Sequence, residues 1–424
     1  MSANQPTRLV GNLSDDSFWK EYPVLETFFS AAKAFIRHDE NTVKTWAASR
    51  DWFMEEWGRD TFISLPGLLL VPKRFDEAKE NIRQQFARHI KRGLIPNRIP
   101  GGVAYYNTVD ASMWFIQAIK AYYEYSGDLT FVFEMLGSIS EVIEYYKNGT
   151  SYFLYGKDQI IKMDAEDSLI ISPVQATWMD ADISFNGTGV ITPRNGKVVE
   201  INALWYSNLR FIAALERHFG RIDKALEHDL IADKVKVSFN SKFWNYRENA
   251  LRDCIEGDSH GDAIRPNMLF AISHGGDLLP TERKISVFEY ARKDLLTPGG
   301  LRTLSSRDSQ YIGIYNTYLP IHEKDRAYHQ GTVWPWLMGT YCDSLAIVRE
   351  QNGRCMSEIA REIATVLGPL VKFCMESPYK CLPEVFSGDF PHEPGGTTSQ
   401  AWSNAEVLRI LDKYKIVQEM NRLE

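Results

Sequence analysis

The chain has 424 residues, 44% of them hydrophobic and 24% charged, the make-up of a soluble globular enzyme with a large core. Its formal charge is −7, from 48 basic and 55 acidic residues without a basic cluster, which argues against nucleic acid and anionic membrane surfaces as partners. Met1–Asp15 carries no signal-peptide pattern and no apolar run nears transmembrane length, so the expected compartment is the cytoplasm.

Helical periodicity dominates the chain. The spacing predicts about twelve helices, near 18–37, 59–71, 75–91, 110–126, 129–147, 201–219, 222–242, 266–274, 281–294, 330–349, 354–376 and 399–415. Some are one-sided: Ala78, Ile82, Phe86 and Ile90 recur every fourth residue. Others, such as Ala111–Ile119, are apolar on nearly every face and must be buried on nearly every face. Alternation of the two kinds is what two concentric helical rings require. Short turns such as Gly127-Asp128 and Gly220-Arg221 join most neighbours. Within 151–199, the alternating stretch 159–163 with 169–171 reads as a small β-hairpin, and 297–328 reads as polar and turn-rich. No linker or low-complexity tract divides the chain, so residues 1–424 are expected to form one large domain. The five cysteines are widely spaced with no C-x-x-C pair, which indicates neither a metal site nor a disulfide framework.

Polar and aromatic residues gather where helices begin. Trp57-Gly58-Arg59-Asp60 puts an aromatic ring, a permanent cation and a carboxylate together at a helix start. An apolar ring face can stack on a sugar, while Arg and Asp make directional charge-assisted hydrogen bonds to hydroxyls. A helix start with a surface ion pair explains those residues equally well in isolation. Trp178-Met179-Asp180-Ala181-Asp182 sets two acids beside a Trp, where burial raises a carboxyl pKa toward that of a glycosidase acid. Asp180 is the stronger candidate; for Asp182 a turn role is equally plausible. Glu384, between Pro383 and Val385, is the candidate base, with Asp389 as a competitor better suited to a turn. Glu200, Asn202 and Trp205 open another helix, where Glu200 could also serve the helix N-terminus. His329, Gln330 and Trp334 lie at a further mouth, and Trp402 follows the Gly-rich bend at Gly395-Gly396. Asn107, Asp110, Arg265, Asn267, Arg302 and Asp308 occupy comparable joints on weaker grounds.

In order along the chain, Trp-Gly-Arg-Asp-Thr at 57–61, Leu94–Arg98, Tyr106–Ser112, Trp178–Ala181 and Val190–Arg194 form a series. Glu200–Trp205, Gly300–Leu304, Tyr328–Trp336 and Gln400–Ser403 continue it. Together, from about Trp46 to Tyr414, they resemble the amylo-α-1,6-glucosidase domain of glycogen debranching enzymes. The resemblance implies an all-α fold, an (α/α)6 barrel, and an inverting glucosidase that removes the single glucose left on an α-1,6 branch stub. It implies no cofactor and no metal, and a branched α-glucan or maltodextrin as the partner. Asp180 would be the general acid and Glu384 the general base, with their carboxyl groups roughly 6.5–9.5 Å apart. Trp57, Arg59, Asp60, Glu200, Asn202, His329, Gln330, Trp334 and Trp402 would line the sugar subsites, and Asn107, Asp110, Trp178 and Trp205 are carried with them as candidate substrate-binding residues. Many relatives carry an N-terminal β-rich domain or a glucanotransferase domain, neither of which is recognised here; whether a separate debranching module supplies one is open. Leu-Pro-Glu stands at 382–384, where a Ser-Glu pairing is expected.

Three rival readings differ in chemistry. A glucoamylase- or trehalase-like glucosidase would differ in products. A silent α-glucan-binding protein would release no glucose. An epimerase on a similar barrel would need facing histidines, of which only His329 is well placed.

Overall fold

The computed structural model describes residues 23–39, 42–45, 49–52 and 55–417. Among them are thirteen α-helices: α1 Pro23–Lys33, α2 Gly58–Leu65, α3 Phe75–Glu80, α4 Asp110–Ser126, α5 Leu129–Asn148, α6 Val199–His218, α7 Ile222–Lys242, α8 Phe270–Ser273, α9 Thr281–Asp294, α10 Ile321–Tyr328, α11 Met338–Gln351, α12 Met356–Glu376 and α13 Ala401–Lys413. The fold is mostly helical, as the periodicity predicts. Local chemistry sets the joints: Gly127 closes α4 with a left-handed φ of 72°, and the Asp128 side chain accepts from the Phe131 amide at 3.1 Å to start α5.

Six helices touch in a closed cycle: α2 packs on α4, α4 on α6, α6 on α8, α8 on α11, α11 on α13, and α13 on α2. Of the segments between them in sequence, α5 packs on α4 and α6, α7 on α6, α9 on α11 and α12 on α11. Burial follows the same division. In α4 eleven residues from Asp110 to Tyr122 are buried, whereas α7 buries only six of its 21. The stretch 111–119, apolar on nearly every face, is buried throughout within α4.

Several expectations need correction. The predicted first helix begins at 18; residues 18–22, and Trp46 and Met1–Asp15 as well, lie outside the described residues. Residues 36–39 form a strand paired with 42–45 instead of continuing the helix. The helix expected over 330–349 begins at Met338, because Val333-Trp334 is a strand and Pro335 opens a 3₁₀ turn. The polar segment 297–328 contains α10. The small hairpin is part of a five-stranded antiparallel sheet, 150–154, 157–163, 170–172, 196–198 and 254–255. A second five-stranded sheet joins 296–297, 300–302, 333–334, 385–386 and 394–395. That second sheet ties the start of the α11 region to the segment carrying Glu384.

A cavity of about 820 Å³ lies among the C-terminal halves of the cycle helices, lined by Gln117, Lys120, His274, Asp343 and Arg409. It reaches Trp336 of the 328–336 motif, and Asp343 in its lining accepts Arg409 at 2.9 Å and Lys413 at 2.7 Å.

Candidate active site

The first turns of the cycle helices bring the motif residues together. Arg59, in the first turn of α2, donates to Asp110 in the first turn of α4 at 2.6 Å, to Asp180 at 3.1 Å and to Thr108 at 3.1 Å. All three donor groups of the guanidinium are therefore engaged, and one aims the Asp180 carboxylate. Asp180 keeps 31% of its side chain accessible, which leaves it open to a ligand. Burial nevertheless pushes its pKa up, against the lowering pull of Arg59, and Asp110 adds to the rise. Asp60, beside it, is pushed up to about 7, by burial first and then by Asp180 and Asp110 against Arg59. A group of acids served by one guanidinium cannot be fully ionised at neutral pH.

Glu384 reaches the site from the other five-stranded sheet. Its backbone amide donates to Thr397 O at 3.0 Å, the Thr397 amide donates to Oε2 at 3.0 Å, and the Tyr328 hydroxyl donates to Oε1. The residue is 4% exposed. Burial raises its pKa to about 7, opposed by those two hydrogen bonds and assisted by Asp325. Gly396, at φ +69°, sits so near that a Cβ there would come within 2.2 Å of Glu384 Oε2. The bend that the sequence shows as Gly395-Gly396 is what lets this carboxyl in.

An aromatic box joins the two carboxyls. Trp178 meets His329, Trp334 and Trp336 edge-on at 5.2–5.5 Å. Trp336 stacks on Trp402 at 4.8 Å, and His329 stacks on Trp334 at 5.6 Å. Trp178 Nε1 donates to Asn267 at 2.8 Å and Trp334 Nε1 to Tyr328 O at 3.0 Å, which fixes both rings. His329 is 1% exposed, and neither ring nitrogen has a hydrogen-bond partner among the described residues. Burial, then Arg265, Arg59 and Arg194, holds its pKa well below the ordinary imidazole value, so the ring is neutral.

The remaining candidates divide. Trp57 is half-buried under the Arg98 guanidinium, 5.6 Å from its ring centre. Asn107 is half-buried with its carbonyl 3.5 Å from the Asn97 amide. Glu200 is taken up by Arg194, bidentate at 2.7 and 2.6 Å; Arg194 also holds Asp253 at 2.6 Å and Thr177 at 2.9 Å. Through Thr177 the same guanidinium is tied to the segment that carries Trp178. Asn202 bonds Ile170 N at 2.6 Å and Val198 O at 2.9 Å in the first sheet, and Trp205 bonds Ser168 O at 3.1 Å, beside that sheet; both side chains are fully buried. Gln330 is also committed, between Arg265 at 2.7 Å and Gln310 at 3.1 Å. Asp182 closes a turn, accepting from Ser184, Gly187 and Gly189 amides, and exposed Asp389 accepts the Tyr311 hydroxyl at 2.8 Å.

Sequence reasoning passed over Tyr328, Tyr315, Trp336, Thr397 and Asp325. Tyr328 and Trp336 lie inside the Tyr-His-Gln-Gly-Thr-Val-Trp-Pro-Trp motif, so the signal for them was present. Asp325 sat in a stretch with no pattern.

The sequence comparisons place the chain among the glycoside hydrolases. The chain belongs to the amylo-alpha-1,6-glucosidase family, which it matches over residues 29–409. It is 27% identical to the glycogen debranching enzyme of Saccharomyces cerevisiae, over 84% of this chain and 29% of that enzyme. It is also 23% identical to a trehalase of Pimpla hypochondriaca, over 47% of this chain and 40% of the trehalase. Thus the chain spans less than half the length of these relatives. A rhamnosidase from Klebsiella oxytoca with rhamnose bound shares the fold, with a TM-score of 0.60, 13% identity, and coverage of 98% of this chain and 66% of that one. Among the described residues, no helix is long and apolar enough to cross a membrane.

Proposed function

We propose that the chain is one catalytic domain of (α/α)6-barrel type, acting in the cytoplasm as an inverting exo-α-1,6-glucosidase on single-glucose stubs of branched α-glucans. Asp180 is the general acid: raised by burial and aimed by Arg59, it protonates the glycosidic oxygen. Glu384 is the general base: held by Tyr328 and Thr397, it takes a proton from the water that attacks the opposite face of the glucose. The aromatic box supplies the apolar wall, in which neutral His329 stacks on Trp334.

The observation that carries this reading is the different support of the two carboxyls. Asp180 hangs from a guanidinium at the edge of open space, whereas Glu384 is clamped at both oxygens in a closed wall. The experiment is proton NMR of the first anomer released from an α-1,6-glucosyl-branched maltodextrin, with Asp180→Asn alongside. Initial β-glucose, falling roughly 100- to 10,000-fold in the variant, supports the assignment. Initial α-glucose rejects inversion. Similarity to trehalases supports a second reading, a trehalose-cleaving glucosidase of the same mechanism. Glucose from trehalose but none from the branched dextrin would favour it.

A further inference from the structure

Asp325 is an acid that the two-carboxylate scheme leaves unused. Helix α10 presents Asp325 and Tyr328 three residues apart, on one face. Tyr328 bonds Glu384, while Asp325 bonds the Tyr315 hydroxyl. The two tyrosine rings pack at 5.6 Å with 32° between their planes, and the Tyr315 amide donates to Ser387 Oγ at 3.2 Å. Asp325 is thereby fixed to the same wall as Glu384, from a different element.

Its charged surroundings come from both sides of the site. Burial raises the Asp325 pKa to about 6, Lys324 opposes the rise, and Asp180 adds to it. In turn Asp325 raises Glu384. Lys324 Nζ stands over the Trp52 ring, 5.0 Å from its centre, and Arg59 is spent on Asp110 and Asp180. A half-buried acid that feels one catalytic carboxyl and is felt by the other carries a standing electrostatic penalty. A ligand with hydroxyl donors, or with positive charge, relieves it.

We infer that Asp325 is a third substrate-binding carboxylate, which accepts a hydroxyl hydrogen bond from the glucosyl unit between Asp180 and Glu384 and attracts positive charge developing on that ring. This rests on the assignment of Asp180 and Glu384 as the working pair. By the same chemistry the site takes a cationic iminosugar of glucose configuration more tightly than it takes glucose.

The test is titration of 1-deoxynojirimycin and of glucose into the wild-type protein and Asp325→Asn, followed by tryptophan fluorescence, with thermal unfolding as a control. Loss of a hydrogen bond to a charged group predicts a roughly 10- to 100-fold weaker iminosugar complex and a smaller loss for glucose. Both limbs of the pH–rate profile should also move to lower pH, because removing one negative charge lowers the pKa of Glu384 and of Asp180 together. Iminosugar affinity within twofold of wild type and an unmoved profile would overturn the inference. So would a Tyr315→Phe variant that reproduces the whole effect, since Asp325 would then only anchor Tyr315. If Asp325→Asn does not fold, Asp325→Glu keeps the charge but shifts it by a methylene: weakened binding in a folded protein supports the inference, and unchanged binding overturns it. A wild type that binds the iminosugar through Asp325 but releases no glucose from branched dextrin would sink the glucosidase reading alone.

Discussion

The Tyr328 hydroxyl donates to one oxygen of Glu384 while the Thr397 amide donates to the other. Both bonds favour the ionised carboxylate, and both oppose the larger effect of burial. Tyr328→Phe removes one of them, so the Glu384 pKa rises further. A base must be ionised to act; hence the acid limb of the pH–rate profile should move to higher pH, by about half a unit or more. The expected loss in kcat/KM at pH 6 is roughly tenfold or greater. An acid limb that stays in place would remove Glu384 from the role of base. The direction is opposite to that expected for Asp325→Asn, so the two variants separate the hydrogen bond from the charge.

His329 predicts a split between stability and binding. A buried imidazole with two unpartnered nitrogens contributes no hydrogen bonds to the fold, and an apolar replacement of similar shape costs little or stabilises. His329→Leu should therefore unfold at the same temperature as wild type or a higher one. Glucose affinity should fall roughly tenfold, since the box loses the ring that stacks on Trp334. A clear drop in unfolding temperature together with intact glucose affinity would make His329 a structural residue.

How much of this was legible in the sequence depended on range. Trp178 and Asp180 are two residues apart, so an acid against an aromatic wall could be read directly. Arg59 was visible as a candidate, but its work is to aim Asp180, 121 residues later. Asn202 and Trp205 have the right composition for a sugar subsite; that their side chains bond Ile170 and Ser168 instead depends on the packing of distant segments. The second five-stranded sheet consists of strands of two or three residues, too short to show any period. Asp325 escaped because α10 is a single eight-residue helix of mostly exposed residues within a polar segment.

The Arg194 cluster predicts a large purely structural effect. Arg194, Glu200 and Asp253 are each about 2–3% exposed and mutually bonded at 2.6–3.0 Å. Removing the cation leaves Glu200 buried without its bidentate partner, while Asp253 keeps the Asn267 amide at 2.7 Å and the Arg265 guanidinium at 3.7 Å. Arg194→Ala should lower the unfolding free energy by roughly 3–5 kcal/mol, read from urea midpoints. A loss below about 1 kcal/mol would mean that water or local rearrangement reaches the cluster.

The raised pKa of Glu384 has a consequence for stability as well as for catalysis. A carboxyl whose folded pKa of about 7 exceeds its ordinary value binds a proton in the folded chain that the unfolded chain has already lost. Stability from this group is fully present at pH below the ordinary carboxylate range and is lost as pH rises toward 7. A shift of that size corresponds to on the order of 3 kcal/mol, shared with the coupled acids around it. Glu384→Gln abolishes the titration and keeps the shape, and the Tyr328 hydroxyl can accept from the amide where it donated to the acid. The variant should match wild type at pH 5 and exceed it at pH 8, while releasing no glucose. Urea unfolding at the two pH values checks this. A difference between the proteins that is the same at both would mean that Glu384 is ionised throughout, and that its hydrogen bonds to Tyr328 and Thr397 outweigh its burial.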